Sequence, residues 1–126
     1  MSSGSGSGSR ATPGGDAVVG WVRATLELAL LAALTEGDRH GYALAQHLGD
    51  HDFGPVRGGS LYPVLSRLEA EGAVRSFWQA GEGGPGRKVY ALTEAGEAKL
   101  AADRARWRDF TTVLDRILKT SRGEER

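Results

Sequence analysis

Near Gly72 the spacing of apolar residues changes from about 3.6 to 2, and that single switch limits what the chain can fold into. Before it, three runs carry helical spacing. Leu26, Leu30, Ala33 and Leu34 recur at intervals of three and four, with Leu28 and Leu31 widening the stripe, in a helix expected to begin near Trp21. Thr35-Glu36-Gly37 ends it, Gly37 suiting the position after a helix terminus. Tyr42, Leu44, Ala45 and Leu48 mark a second helix, begun near Asp38 or His40 and stopped at Gly49. Asp50 to Gly59 holds Pro55 and three glycines and reads as loop. Leu61, Val64, Leu65 and Leu68 fall on one face of a third helix, with Ser60 as the expected N-cap and Pro63 in the first turn. Tyr62, Pro63, Ser66 and Arg67 fall on its opposite face, and Gly72 closes it.

After the switch, Ala73–Gln79 and Arg87–Leu92 have the β-branched and aromatic content of strands. Gly81 to Gly86 between them is expected as a turn or tip, making a hairpin. Thr93 and Glu94 open a last helix that runs to about Lys119. Along it Leu100, Trp107, Phe110, Leu114 and Ile117 lie close to an a/d seam, widened by Val113 and Leu118, with Asp103 in one apolar slot. A helix of about 25 residues exceeds what so small a core needs, so its stripe calls for a partner.

Three short helices and then a hairpin is the order of a winged helix-turn-helix. The expected fold is therefore mainly α with a β-hairpin wing, plus a long C-terminal dimerisation helix. A helix of about 10–12 Å diameter fits a major groove about 12 Å wide. The division expected is a Ser/Gly-rich tail over 1–17, a winged domain over 18–93, a dimerisation helix over 94–120 and a short tail over 121–126. The Ser3–Ser9 repeat has linker composition and buries nothing apolar.

Charge and composition narrow the function. Sixteen Lys and Arg balance sixteen Asp and Glu in 126 residues, which excludes coating of nucleic acid by bulk charge but leaves room for a local basic patch. The absence of Cys excludes thiol chemistry, disulfides and Cys-ligated zinc. The longest apolar run, Leu28–Leu34, falls far short of the roughly 18–20 residues of a membrane span, and no apolar leader precedes it. A cytoplasmic protein without membrane contact is expected. No nucleophile elbow, HExxH or phosphate-binding glycine loop is present, so the expectation is not an enzyme and no cofactor. His47 and His51 have helical spacing, but Gly49 is expected to end that helix and no Cys or clear third ligand completes the set. Asp50 and Asp52 could serve but are common loop acids, and no metal is expected.

The residues also carry a resemblance. Leu28-Ala29-Leu30-Leu31, His40-Gly41-Tyr42, Gly59-Ser60-Leu61-Tyr62-Pro63, Arg67-Leu68-Glu69, Glu71-Gly72, Gly84-Pro85-Gly86-Arg87-Lys88 and Tyr90-Ala91-Leu92-Thr93-Glu94-Ala95-Gly96 follow in order. Over roughly Leu26 to Leu118 the chain resembles PadR-like transcriptional regulators, in the branch with a single short C-terminal helix. The resemblance implies a homodimer whose last helix packs on the partner's DNA-binding half, and regulation, often repression, at an inverted-repeat operator. The tip departs from the pattern, carrying Glu82 and no basic residue before Arg87.

From the helix-turn-helix order, Arg57, Ser60, Tyr62, Pro63, Ser66, Arg67, Arg87 and Lys88 are the expected contacts to double-stranded DNA. Arg67 is expected to pair with either a guanine or a phosphate; Tyr62 and Ser60 suit the sugar-phosphate backbone. Leu100, Trp107, Phe110, Leu114 and Ile117 are the expected dimer residues. Trp107 and Phe110 are also the candidates for stacking a flat apolar effector, which the resemblance implies can be aromatic. Trp21 and Trp78 are further candidates for that region that the sequence does not place. Two other classes fit the same sequence: a winged helix that docks a protein, and a small-molecule binder without DNA.

Overall fold

The computed structural model describes residues 15–54, 56–81 and 83–121. The Ser3–Ser9 repeat, Glu82 at the tip and the last five residues lie outside them. In chain order the elements are α1 (Gly15–Leu34), β1 (Arg39–His40), α2 (Gly41–Asp50), α3 (Gly58–Ala70), β2 (Val74–Gly81), β3 (Gly84–Leu92) and α4 (Glu94–Lys119). The fold is mainly helical, with a small antiparallel sheet in the order β1-β3-β2.

Leucine spacing builds the core. Leu26, Leu30, Leu31 and Leu34 of α1 meet Leu44 and Leu48 of α2 and Leu61, Leu65 and Leu68 of α3. Val74, Tyr90 and Leu100 close the cluster from the sheet and α4. Each buried leucine contributes about 1.5–3 kcal/mol relative to exposure.

Several boundaries differ from the sequence expectation, each for a local reason. Helix α1 begins at Gly15 rather than near Trp21. Gly49 does not stop α2, which continues to Asp50. The stop comes from Asp52 in the left-handed region at φ 60°, with Phe53 N–H donating to Leu48 C=O at 3.0 Å. Ser60 is not the N-cap of α3; Arg57 holds that position without a side-chain cap bond. Ser60 N–H donates to Arg57 C=O at 2.9 Å, so Gly58 and Gly59 prolong the helix backwards. Pro63 consequently sits in the second turn and offers no N–H to Gly59 C=O, whose residue is exposed to water.

Gly72, at φ 81°, ends α3 with a double bond pattern: its N–H reaches Glu69 C=O at 3.0 Å, and Ala73 N–H reaches Leu68 C=O at 2.9 Å. Thr93 opens α4 as expected, its hydroxyl accepting from Gly96 N–H at 2.9 Å and donating back to the β2 entry at Gly72 and Ala73.

The hairpin is longer than the residue types alone indicate. Gly81 and Gly84–Gly86 belong to strands rather than to a tip, with an irregularity between Gln79 and Gly81. A side chain at Gly86 would crowd Gln79 C=O on the opposite strand, so the glycines let the two backbones approach. The third strand, β1, was unforeseen. It is two residues long and pairs Arg39 with Tyr90 and His40 with Val89.

Helix α4 splits in two by environment. Its first turns dock on the fold, burying Gly96 and Leu100. Leu100 therefore belongs to the chain's own core and not to an exposed seam. Trp107, Phe110, Val113, Leu114, Ile117 and Leu118 stay 40–59% exposed along one continuous stripe.

Candidate functional site

The hairpin leans toward α3 and leaves an open groove of about 680 Å³ between them. Its lining comes from five elements: His40 of β1, Gly41 and Tyr42 at the start of α2, Tyr62 and Ser66 on α3, Trp78 of β2, and Gly86, Arg87, Lys88 and Tyr90 of β3. No carboxylate lines it among the described residues.

Spacing explains the α3 contribution. Leu61, Leu65 and Leu68 are buried, which turns Tyr62, Pro63, Ser66 and Arg67 outward. Tyr62 and Ser66, four residues apart, share the side facing the hairpin. Tyr62 is further held by Gly41. The tyrosine ring and hydroxyl occupy the space a Cβ at Gly41 would need, so a glycine is required for the ring to lie there.

Register explains the hairpin contribution. Trp78 pairs directly with Lys88, placing the two side by side on one face of the sheet. Trp78 is 72% exposed and belongs to this groove, not to the neighbourhood of Trp107. Lys88 Nζ lies 3.8 Å from Glu69 of α3 and over the Tyr90 ring. Burial, and then the Glu69 charge, push the Tyr90 hydroxyl above the usual tyrosine range. Arg87 reaches to β1, its Nη1 3.0 Å from His40 Nε2. His40 in turn caps α2, its Nδ1 accepting from Ala43 N–H at 3.3 Å.

Of the residues expected to meet DNA, Tyr62, Ser66, Arg87 and Lys88 come together at the groove. Arg57 is exposed at the entry to α3, and Ser60 is half-buried one turn before Pro63. Arg67 stands apart. Its guanidinium is 3.1 Å from Glu27 of α1, the first link of a chain of charges. Glu27 also holds Lys99 at 3.4 Å, Lys99 meets Asp103 at 3.2 Å, and Asp103 meets Arg106 at 2.7 Å. Lys99 thus ties α4 to α1 through Glu27, while Asp103, which interrupts the apolar spacing of α4, holds Lys99 and Arg106 within that helix. His40, Gly41, Tyr42 and Tyr90 are not among the DNA contacts expected from the sequence, and Trp78 is a candidate there only for the Trp107 region. The His40-Gly41-Tyr42 run signalled the first three, whereas Trp78 needed the strand register.

A second, shallower groove of about 290 Å³ runs between α1 and α4. Trp107 and Phe110 line it with Ala24, Thr25, Glu27, Leu28, Asp103 and Arg106. Their ring centroids are 6.0 Å apart with the planes at 40°, a tilted aromatic pair.

Known proteins share this arrangement. Residues 30–102, more than half of the chain, match the model of the transcriptional regulator PadR-like family. The transcriptional regulator Rv3488 of Mycobacterium tuberculosis is 40% identical over 82 residues, spanning 65% of this chain and 75% of its own length. A PadR family regulator from Eggerthella lenta superposes with a TM-score of 0.76 at 34% identity, over 82% of this chain and 90% of that one. A PadR-like regulator from Bacillus cereus gives 0.71 at 28% identity, over 81% and 99%. On the family match and these shared structures, the chain belongs to the PadR-like family of transcriptional regulators.

Proposed function

We propose that this regulator is a sequence-specific binder of double-stranded DNA that acts as a homodimeric repressor at an inverted-repeat operator. One observation carries the reading: the outward face of α3 and the hairpin meet in an exposed groove that presents Arg87 and Lys88 and is lined by no carboxylate among the described residues. Helix α3 then enters a major groove with Tyr62, Pro63 and Ser66 foremost, while Arg87 and Lys88 take phosphates at the wing base. Arg57 and Ser60 add backbone contacts at the start of α3. Arg67 reads a base only by giving up Glu27, so it ranks behind Arg87.

The exposed stripe of Trp107, Phe110, Leu114 and Ile117 supports dimerisation through α4. Two copies of α3 would then sit about 34 Å apart, one turn of duplex. A flat apolar or aromatic effector is assigned to the Trp107–Phe110 groove, where it regulates only by favouring one of the dimer's two arrangements. The setting is cytoplasmic, and no described helix is long and apolar enough to cross a membrane.

The test is fluorescence anisotropy with a duplex from the protein's own upstream region, at 50 and 200 mM salt. About 6–10 phosphate contacts predict a loss of roughly 10³–10⁵ in affinity between those salts. A protein-docking winged helix would give no such salt-dependent binding.

A further inference from the structure

The His40 ring faces hydrogen-bond donors at both nitrogens. Ala43 N–H donates to Nδ1 at 3.3 Å, which puts the ring proton on Nε2. Nε2 is also 3.0 Å from Nη1 of Arg87, a permanent donor. A neutral imidazole has one acceptor nitrogen, so one contact sets donor against donor in either tautomer. Protonating both nitrogens would lose the α2 cap and set a cation beside Arg87.

An anionic oxygen between Nε2–H and the guanidinium removes the conflict, because both groups then donate to it. We propose that His40 and Arg87 form a two-donor clamp for a phosphate oxygen of the DNA backbone, with Ala43 N–H holding the imidazole in the donating tautomer. Arg87 is exposed and long enough to swing aside and admit the oxygen. The surroundings suit an anion. Lys88 and the tyrosines Tyr42, Tyr62 and Tyr90 line the same groove, and Arg39 precedes the ring in the chain. The nearby carboxylates do not line the groove and already have partners: Glu36 has Arg39 and His47, and Glu69 has Ser76 and the groove's own Lys88. The clamp rests on the DNA-binding reading and adds His40 to its contacts as a neutral donor. A neutral donor strengthens binding without releasing a counterion, unlike Arg87.

The experiment has two arms. In the full-length protein, ¹⁵N-detected imidazole spectra at neutral pH should show His40 as the Nε2–H tautomer, and inorganic phosphate should shift that resonance at constant ionic strength. An Nδ1–H tautomer would overturn the clamp, leaving His40 as a tether that accepts from Arg87. In the second arm, a short random-sequence duplex is titrated against wild type, His40→Asn and Arg87→Gln. Asparagine keeps a good N-cap but is too short to reach the phosphate. His40→Asn should bind about threefold to tenfold more weakly with the salt slope unchanged. Arg87→Gln should lower that slope by about one. Unchanged affinity of His40→Asn, with the phosphate shift present, would assign the site to free phosphate and overturn the DNA source. Absence of duplex binding by wild type would defeat the DNA reading, while the phosphate arm still decides the clamp.

Discussion

Tyr62 and Gly41 show how one residue's absent side chain fixes another's position. Because the tyrosine ring fills the Cβ space of Gly41, Gly41→Ala must push the ring out of the groove or open the α2–α3 contact. Overpacking of this kind costs about 1–3 kcal/mol, and urea denaturation should show a lower midpoint together with weaker duplex binding. The two arginines make the opposite contrast. Arg67 is held by Glu27, whereas Arg87 lies on the groove. Arg87→Ala is therefore expected to reduce operator affinity more than Arg67→Ala, measured by anisotropy at fixed salt. A larger loss for Arg67→Ala would place base reading on the Glu27 side of α3.

At the scale of elements, helix ends and inter-helix charges set the geometry. Gly72 terminates α3 in a backbone conformation that costs an L-residue about 1–2 kcal/mol, so Gly72→Ala should lower stability by roughly that amount in chemical denaturation. The docking of α4 on α1 involves Lys99, whose pKa is raised, first by its hydrogen bond to Asp103 and further by Glu27, against the opposing effect of burial. A raised lysine stabilises the fold fully below its unfolded value of about 10.4, and that contribution disappears as pH rises through the higher folded value. Thermal midpoints should therefore fall on going above about pH 10.4, and fall less steeply in Lys99→Met. An equal alkaline slope in both proteins would remove Lys99 from the α1–α4 contact.

For the whole molecule, the unanswered surface is the second half of α4. Six large apolar side chains lie exposed on one stripe of a helix that the monomer covers only at its start. Leu114→Asp would place a charge in the middle of the proposed interface, and sedimentation at micromolar concentration should then report single chains. A dimer that persists would move the interface elsewhere. Leu100→Asp is expected to differ in kind: it should unfold the monomer, because Leu100 is in the core.

How far the sequence determines this protein follows from the range of the forces involved. Leucine spacing and the period switch near Gly72 determined the helices, the hairpin and their order, since these follow from side-chain period along a local stretch. The outward face of α3 was legible for the same reason. Local pattern did not determine the start of α3, because Gly58 and Gly59 accept either helix or loop and Ser60 suits a cap equally well. Only the tertiary structure decided that β1 pairs with β3, that Trp78 belongs to the groove and that Leu100 is buried. It alone also joined Arg67 to Glu27 and Arg87 to His40. Those pairs are 40 and 47 residues apart in sequence, and no residue spacing along the chain encodes a contact made when separate elements pack.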